Sequence, residues 1–379
     1  MSGILNKTLL HPWHSAHGAR FTEFAGWDMP IRYERGPVAE HRLVRTSCGL
    51  FDISHMGRFV VRGELSTAFL DELLSSPIAG LRSGQSSYAL MCRDDGGVLD
   101  DVFVYRISAT HTFGEEGWLV VVNASNREKD LSWMRSHARS GLTIVDASAD
   151  IAMIAVQGPR AIELVDLLCG GQAGSVERFF SRECAFGGIP ALMGRTGYTG
   201  EDGVELYVAA GSAVNLWEKI LESAERAGIE AGPIGLAARD SLRFEPGFPL
   251  YGHELSEERT PLDAGLKWAC DFSKPFSGSD GMVVRARSED AVRLVTLRMV
   301  DKAVPREGFP VFDAVDYHKR VGIVVSGMYA PSVDGYYANA YVPADKAARD
   351  TPYSVEVHGR LKSAIVVKRP IYRPSYRSA

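Results

Sequence analysis

Tyr88-Ala-Leu-Met-Cys-Arg-Asp-Asp-Gly-Gly-Val-Leu-Asp-Asp-Val-Phe-Val-Tyr-Arg-Ile107 decides the class of fold. Tyr88 to Met91 is short and apolar, as a buried strand is. Arg93 to Gly97 supplies Asp and Gly where a tight turn needs positive φ, and Val98 to Ile107 resumes as a second strand. Two strands joined by so short a turn make a hairpin, which breaks the strand–helix–strand alternation of a doubly wound sheet. Outward from it, Trp118 to Asn123 has no turn former before its last residue and reads as another strand. Ile151 to Val156 is a further buried run, and Gln157-Gly158-Pro159 then places a proline to open a helix over Arg160 to Leu168. Leu216, Trp217, Ile220, Leu221 and Ala224 recur at helical spacing with charged residues between them, so one face is buried and the helix ends near Gly228. Short strands dominate from Val292 to Val367. The polar stretch Asp271 to Asp290 is the candidate boundary before that β-rich end. The class is α+β.

At 379 residues the chain is long enough for two or three domains. Forty-two Lys and Arg against forty-seven Asp and Glu give a net charge of −5. The absence of a basic surplus argues against nucleic acid and against a polybasic membrane surface as partners. No run approaches the roughly 20 apolar residues of a membrane span, and the N-terminus lacks a signal-peptide core. A soluble, cytoplasmic protein is expected. Cys48, Cys92, Cys169, Cys184 and Cys270 are scattered and form no Cys-x-x-Cys pair, which fits a reducing compartment. His11, His14 and His17 converge poorly on a helix and have Pro12 among them, so they read as a solvated helix entry rather than a metal site.

Three stretches carry candidate chemistry. Gly197-Tyr-Thr-Gly-Glu-Asp-Gly203 lacks the lysine of a phosphate loop and carries two acids, so it reads as a loop presenting a carboxylate. Asp100 and Asp101 cannot act as a pair on a strand, because successive side chains face opposite sides. Asp100 goes with Val98 and Val102, and Asp101 with Leu99, Phe103 and Tyr105. A carboxylate in an apolar strand is costly unless hydrogen-bonded or given a task, which leaves a turn cap and a functional acid both open. Arg239, Asp240, Arg243 and Glu245 lie at helical spacings, as a salt-bridged helix would have them or as guanidinium groups reaching a ligand.

Eight stretches in order resemble the aminomethyltransferase, or T-protein, family of the glycine cleavage system. They are Phe24–Pro30, Val44–Gly57, Gly96–Tyr105, Val121–Asp130, Ala155–Pro159, Arg195–Glu205, Gly235–Arg243 and Leu250–Gly252. The resemblance implies a three-domain folate-binding fold around a central funnel: a discontinuous domain of residues 1–54 and 145–280, an inserted ferredoxin-like domain of 55–144, and a C-terminal β-barrel of 290–379. It implies transfer of the methylene carbon from the aminomethyl-lipoyl arm of H-protein to tetrahydrofolate, with release of ammonia and without a metal. By motif, Asp101 is the expected catalytic acid and Glu205 the acid that grips the pterin ring. Arg239 is expected near the folate tail, Tyr376 and Tyr198 in the same site, and Met56, Tyr88 and Asn123 along its lining.

Some positions depart from the family pattern. Ser326-Gly-Met-Tyr-Ala-Pro-Ser-Val333 replaces Ser-Gly-x-x-Ser-Pro-Thr-Leu, and His253-Glu254 stands where Gln-Asp is usual. These changes bear on the Tyr376 alignment and on the donor face. The alternative is a tetrahydrofolate-dependent demethylase of a small sulfonium, amine or aryl-ether donor. Arg32, Arg35, Arg42 and Arg45 are candidates for a basic rim facing an acidic lipoyl carrier, against a plain reading as a solvated loop and helix face.

Overall fold

The computed structural model of the chain describes residues 4–377. The hairpin forms from the strands Ser86–Cys92 and Val98–Ile107. It belongs to a five-stranded sheet that continues through Gly117–Val122, Gly57–Arg62 and Thr143–Asp146. A six-stranded sheet runs in the order Ser181–Phe186, Ile189–Gly194, Gly203–Ala209, Ile151–Gln157, Cys48–Asp52, Ala231–Pro233. Only its last pair is parallel. The helices Ala161–Cys169 and Ala213–Arg226 share one apolar cluster with this sheet. The second of them buries Leu216, Trp217, Ile220 and Ala224, as their spacing predicts, and the chain leaves through Gly228 at φ 63°. Each large apolar side chain so buried contributes about 1.5–3 kcal/mol. The β-rich end closes as a barrel of Val292–Met299, Gly335–Pro343, Arg320–Ala330, Pro310–Asp313, Pro352–Val357 and Arg360–Val367. The fold is α+β.

By compactness the chain divides into two units. One comprises the chain up to Ala89 with Val102–Leu242, the other Leu90–Asp101 with Arg243 onward. The hairpin tip is part of the second unit because its turn meets backbone there at close range. Val98 N–H donates to the carbonyls of Ser256 (3.2 Å) and Arg259 (3.0 Å). A Cβ on Gly97 would stand 2.0 Å from the Glu257 carbonyl oxygen, and one on Gly96 would stand 2.6 Å from Met282 N. These glycines therefore serve the approach of other backbone as well as the turn.

Asp271 to Asp290 is not a bare linker: it holds the helix Ser279–Ala286, whose Met282 is fully buried. Among the described residues no helix is long and apolar enough to cross a membrane.

Candidate functional site

Glu205 lies on the strand Gly203–Ala209, opposite Gly194 on one side and Ala155 on the other. Gly194 leaves room for the Tyr105 ring, which a Cβ there would meet at 2.8 Å. Tyr105 and Thr196 hydroxyls lie 2.6 Å apart, and both donate to Glu205 Oε2, at 3.3 and 2.6 Å. Burial pushes the Glu205 carboxyl above the usual range, against the pull of Thr196, Tyr105 and the Arg239 charge. One carboxylate oxygen is thus anchored by the protein, while Oε1 receives neither bond. Such an acid suits a heterocycle that offers adjacent N–H donors. Thr196 and Tyr105 were not singled out in the sequence; the glycine at 194, ending a strand of otherwise larger side chains, was the available signal.

The Gly197–Gly203 loop corrects one expectation, because both of its acids are held in ion pairs and Glu201 is buried. Asp202 pairs with Arg195 at 2.6 Å, and Glu201, 3% exposed, pairs with Arg45 at 2.8 Å. Gln157 fastens the loop from below: Nε2 donates to the carbonyls of Thr196 (3.1 Å) and Val204 (3.2 Å), and Oε1 accepts from Thr199 Oγ1 (3.1 Å). A Cβ on Gly197 would stand 1.9 Å from that Oε1. What the loop offers is Tyr198, half-buried, with the Arg239 guanidinium 4.6 Å over its ring. Cation–π stacking of this kind contributes about 0.5–2 kcal/mol.

Arg239 stands on the helix Leu236–Phe244. Glu40 Oε2 accepts from Gly235 N–H at the helix entrance (2.8 Å), and His41 Nδ1 meets Ser241 Oγ at 2.7 Å along its side. Glu205, Arg239 and Tyr198 are therefore gathered in one unit. Arg45 also corrects the sequence reading: of the four clustered arginines, Arg32, Arg35 and Arg42 are exposed, whereas the Arg45 side chain is only 7% exposed.

Met56 packs, partly buried, against the apolar cluster containing Phe51, Tyr105, Val121 and Tyr207. Gly57 pairs with Val122, which sets Met56 and Asn123 at the same end of the five-stranded sheet. Tyr88 is half-buried, and its carbonyl accepts from Ser76 Oγ at 2.6 Å. The turn that presents Met56 is built by Asp52, whose Oδ1 takes Ser54 N–H (3.0 Å) and whose Oδ2 takes Thr8 Oγ1 (2.6 Å) and His14 Nε2 (3.1 Å). His14 Nδ1 meets Tyr33 OH at 2.8 Å. The solvated reading of the histidine trio thus fails for His14, which is fully buried, while His11 pairs with Asp28 at 2.8 Å and His17 is exposed.

His55, next to Met56, is 2% exposed, and its Nδ1 has no hydrogen-bond partner among the described residues. Burial first, and then the Arg239 charge, hold its pKa well below the usual imidazole value. The unfolded chain therefore binds this proton before the folded one does. The stability that neutral His55 contributes is complete above about pH 6.5 and falls as the pH drops below it, at up to about 1.4 kcal/mol per pH unit. Urea titrations of wild type and His55→Gln from pH 8 to 5 should show the wild type losing stability faster on acidification. Parallel curves would mean that His55 takes up its proton as readily in the fold as in the unfolded chain.

In the second unit, Asp100 is fully buried and Asp101 half-buried. Val98 and Val102 share the buried face of Asp100, at 0% and 1% exposure. Tyr376 stands in the short turn Ser375–Arg377 and is 46% exposed. One of the departures from the family pattern, Glu254, forms a buried knot. Glu254, fully buried, accepts from Arg243 Nη1 (2.8 Å), Leu250 N–H (3.0 Å), Asn339 Nδ2 (2.8 Å) and Ser326 Oγ. Its carbonyl accepts from Tyr341 OH at 2.7 Å. Burial raises the Glu254 pKa, but the Arg243 charge and these donors outweigh it and hold the carboxyl below the usual range. His253-Glu254 and Ser326 are thus parts of the packing between the Leu250–Glu254 turn and the barrel strands.

A family model described as "GCVT N-terminal domain" matches residues 10–274, and one described as "Glycine cleavage T-protein C-terminal barrel domain" matches residues 293–373. The chain is 40% identical to an aminomethyltransferase of Prosthecochloris aestuarii over 370 residues, 97% of this chain and 99% of that one. It is 40% identical to that of Symbiobacterium thermophilum over the whole length of both. Among solved structures it matches the glycine cleavage system aminomethyltransferase T from Bartonella henselae with a TM-score of 0.89. The identity there is 31%, over 98% of this chain and 99% of that one. These relatives favour aminomethyl transfer over the demethylase alternative. With both family models in chain order and likeness along the full length, the chain belongs to the glycine cleavage T-protein family of aminomethyltransferases.

Proposed function

We propose that this aminomethyltransferase takes the methylene carbon from the aminomethyl-lipoyl arm of H-protein and passes it to tetrahydrofolate, releasing ammonia and a dihydrolipoyl arm. The observation that carries the acceptor assignment is Glu205, a half-buried acid anchored through one oxygen only. Its second oxygen suits the adjacent N–H donors of a pterin ring. Arg239, stacked on Tyr198, supplies positive charge for the carboxylates of the folate tail. Met56, Tyr88 and Asn123 are assigned to the lining, and Tyr376 to folate binding. Asp101 takes or steers the proton lost as the acceptor nitrogen attacks, and its charge stabilises the cation that develops on the transferred carbon.

The division into 1–54 with 145–280, 55–144, and 290–379 is part of the same proposal. Each large sheet draws its strands from one of these parts, except that Thr143–Asp146 overruns the second. Formation of methylenetetrahydrofolate from aminomethylated H-protein, with small methyl donors run alongside, tests the reaction. Turnover with a methyl donor and none with H-protein would reverse the assignment to a demethylase.

The acceptor site has its own test. Glu205→Gln keeps the shape and removes the charge that faces two N–H donors, and a charged hydrogen bond contributes about 1.5–3 kcal/mol. Calorimetric titration should show tetrahydrofolate affinity reduced ~10- to 100-fold. Unchanged affinity would remove Glu205 from the site.

A further inference from the structure

Arg45 stands in the last turn of the helix Pro37–Thr46. Its Nη1 donates to the Thr199 carbonyl (2.7 Å) and to Glu201 Oε1 (2.8 Å), and its Nη2 donates to the Leu242 carbonyl (3.2 Å). Thr199 follows Tyr198 in the loop, and Leu242 lies three residues after Arg239 on its helix. One planar fork thus ties the loop that carries the tyrosine to the helix that carries the arginine stacked upon it. The helix has other fastenings, at Gly235 through Glu40 and at Ser241 through His41. The loop has its own fastening in Gln157. Each part therefore keeps its fold without Arg45, and what Arg45 adds is the register of one against the other.

We infer that Arg45 is a positioning residue: it sets the Tyr198–Arg239 stack and through it the affinity for the folate acceptor. The inference rests on the acceptor reading given above. Lysine at 45 would still neutralise Glu201, but an ammonium on a flexible stem cannot hold three acceptors in a fixed plane. Movement of the stack draws the Arg239 guanidinium away from the carboxylates it would bind, and a charge-assisted pair carries enough affinity for a ~10- to 100-fold change.

The test compares wild type, Arg45→Lys, and the double variant Arg45→Met with Glu201→Gln, which leaves no charge buried alone. Three measurements are made on each: melting temperature, the KM for tetrahydrofolate against kcat, and hydrogen exchange of residues 197–203 without ligand. Both variants should raise that KM ~10- to 100-fold, with kcat at saturation within about twofold, and should speed exchange in the loop. The double variant should melt near the wild type without recovering KM. Recovery of the wild-type KM in the double variant would reduce Arg45 to a counter-charge for Glu201 and overturn the inference. Wild-type exchange in Arg45→Lys would do the same. Failure of the wild type to bind tetrahydrofolate would count against the acceptor reading instead, and loop exchange would then decide the role of Arg45.

Discussion

Asp101→Asn is expected to lower aminomethyl-transfer turnover ~100-fold or more while tetrahydrofolate still binds. Asparagine keeps the size of the side chain and an acceptor oxygen. It can neither take a proton nor place a negative charge beside a developing cation, so the loss should fall on kcat. Asp100→Asn, one residue earlier, serves as the control. Its side chain points to the opposite face and is fully buried, so its replacement should cost about 1–3 kcal/mol of stability and little turnover. Steady-state kinetics and thermal melts on the two variants separate these outcomes. Equal kinetic losses with unchanged melting temperatures would show that the two faces have been assigned wrongly.

Glu254→Gln is expected to destabilise the protein by about 3–5 kcal/mol, because it leaves the Arg243 guanidinium buried opposite a neutral group. Both side chains of this pair are at most 1% exposed. Because the folded Glu254 carboxyl titrates below its unfolded value, its contribution is present above about pH 4.5 and is lost as the pH falls below that. The double variant Arg243→Met with Glu254→Gln should recover part of the loss, since no charge is then buried alone and the glutamine oxygen still accepts from Asn339 and Ser326. Urea denaturation at pH 7 measures both. A Glu254→Gln variant as stable as the wild type would mean that the Arg243 charge is satisfied elsewhere.

What the sequence disclosed and what it hid follow from the range of each interaction. The hairpin and the two faces of Val98–Ile107 were legible because alternation is a local pattern. The helix over residues 213–226 was legible for the same reason. The barrel strands showed as short apolar runs, but their closure into a ring depends on pairings such as Val292–Met299 with Arg360–Val367, which no local pattern records. Arg45 and Glu201 were misread because charged residues are ordinarily exposed, and what buries them is a partner 156 residues away. His14 was misread in the same way, since its acid lies 38 residues on. Glu205 was reached by family resemblance, whereas Thr196 and Tyr105, which orient it, carry no local mark. A hydroxyl that anchors a carboxylate looks like any other serine, threonine or tyrosine until the strands are paired.

The division of the chain into two units also fixes a timetable. Leu90–Asp101 belongs with residues from Arg243 onward, and the intervening Val102–Leu242 belongs to the other unit. On the ribosome these 141 residues must be made before the hairpin tip meets the backbone of Ser256 and Arg259. At roughly 5–20 residues per second, the delay is on the order of ten seconds. For that time the nascent chain carries an unfinished hairpin whose glycine turn has nothing to press against, and the first unit can reach its own core ahead of it. Asp101 is the last residue of this waiting segment. A chain released early, before residue 243, would therefore hold Glu205, Arg239 and Tyr198 but lack both Tyr376 and the native surroundings of its acid.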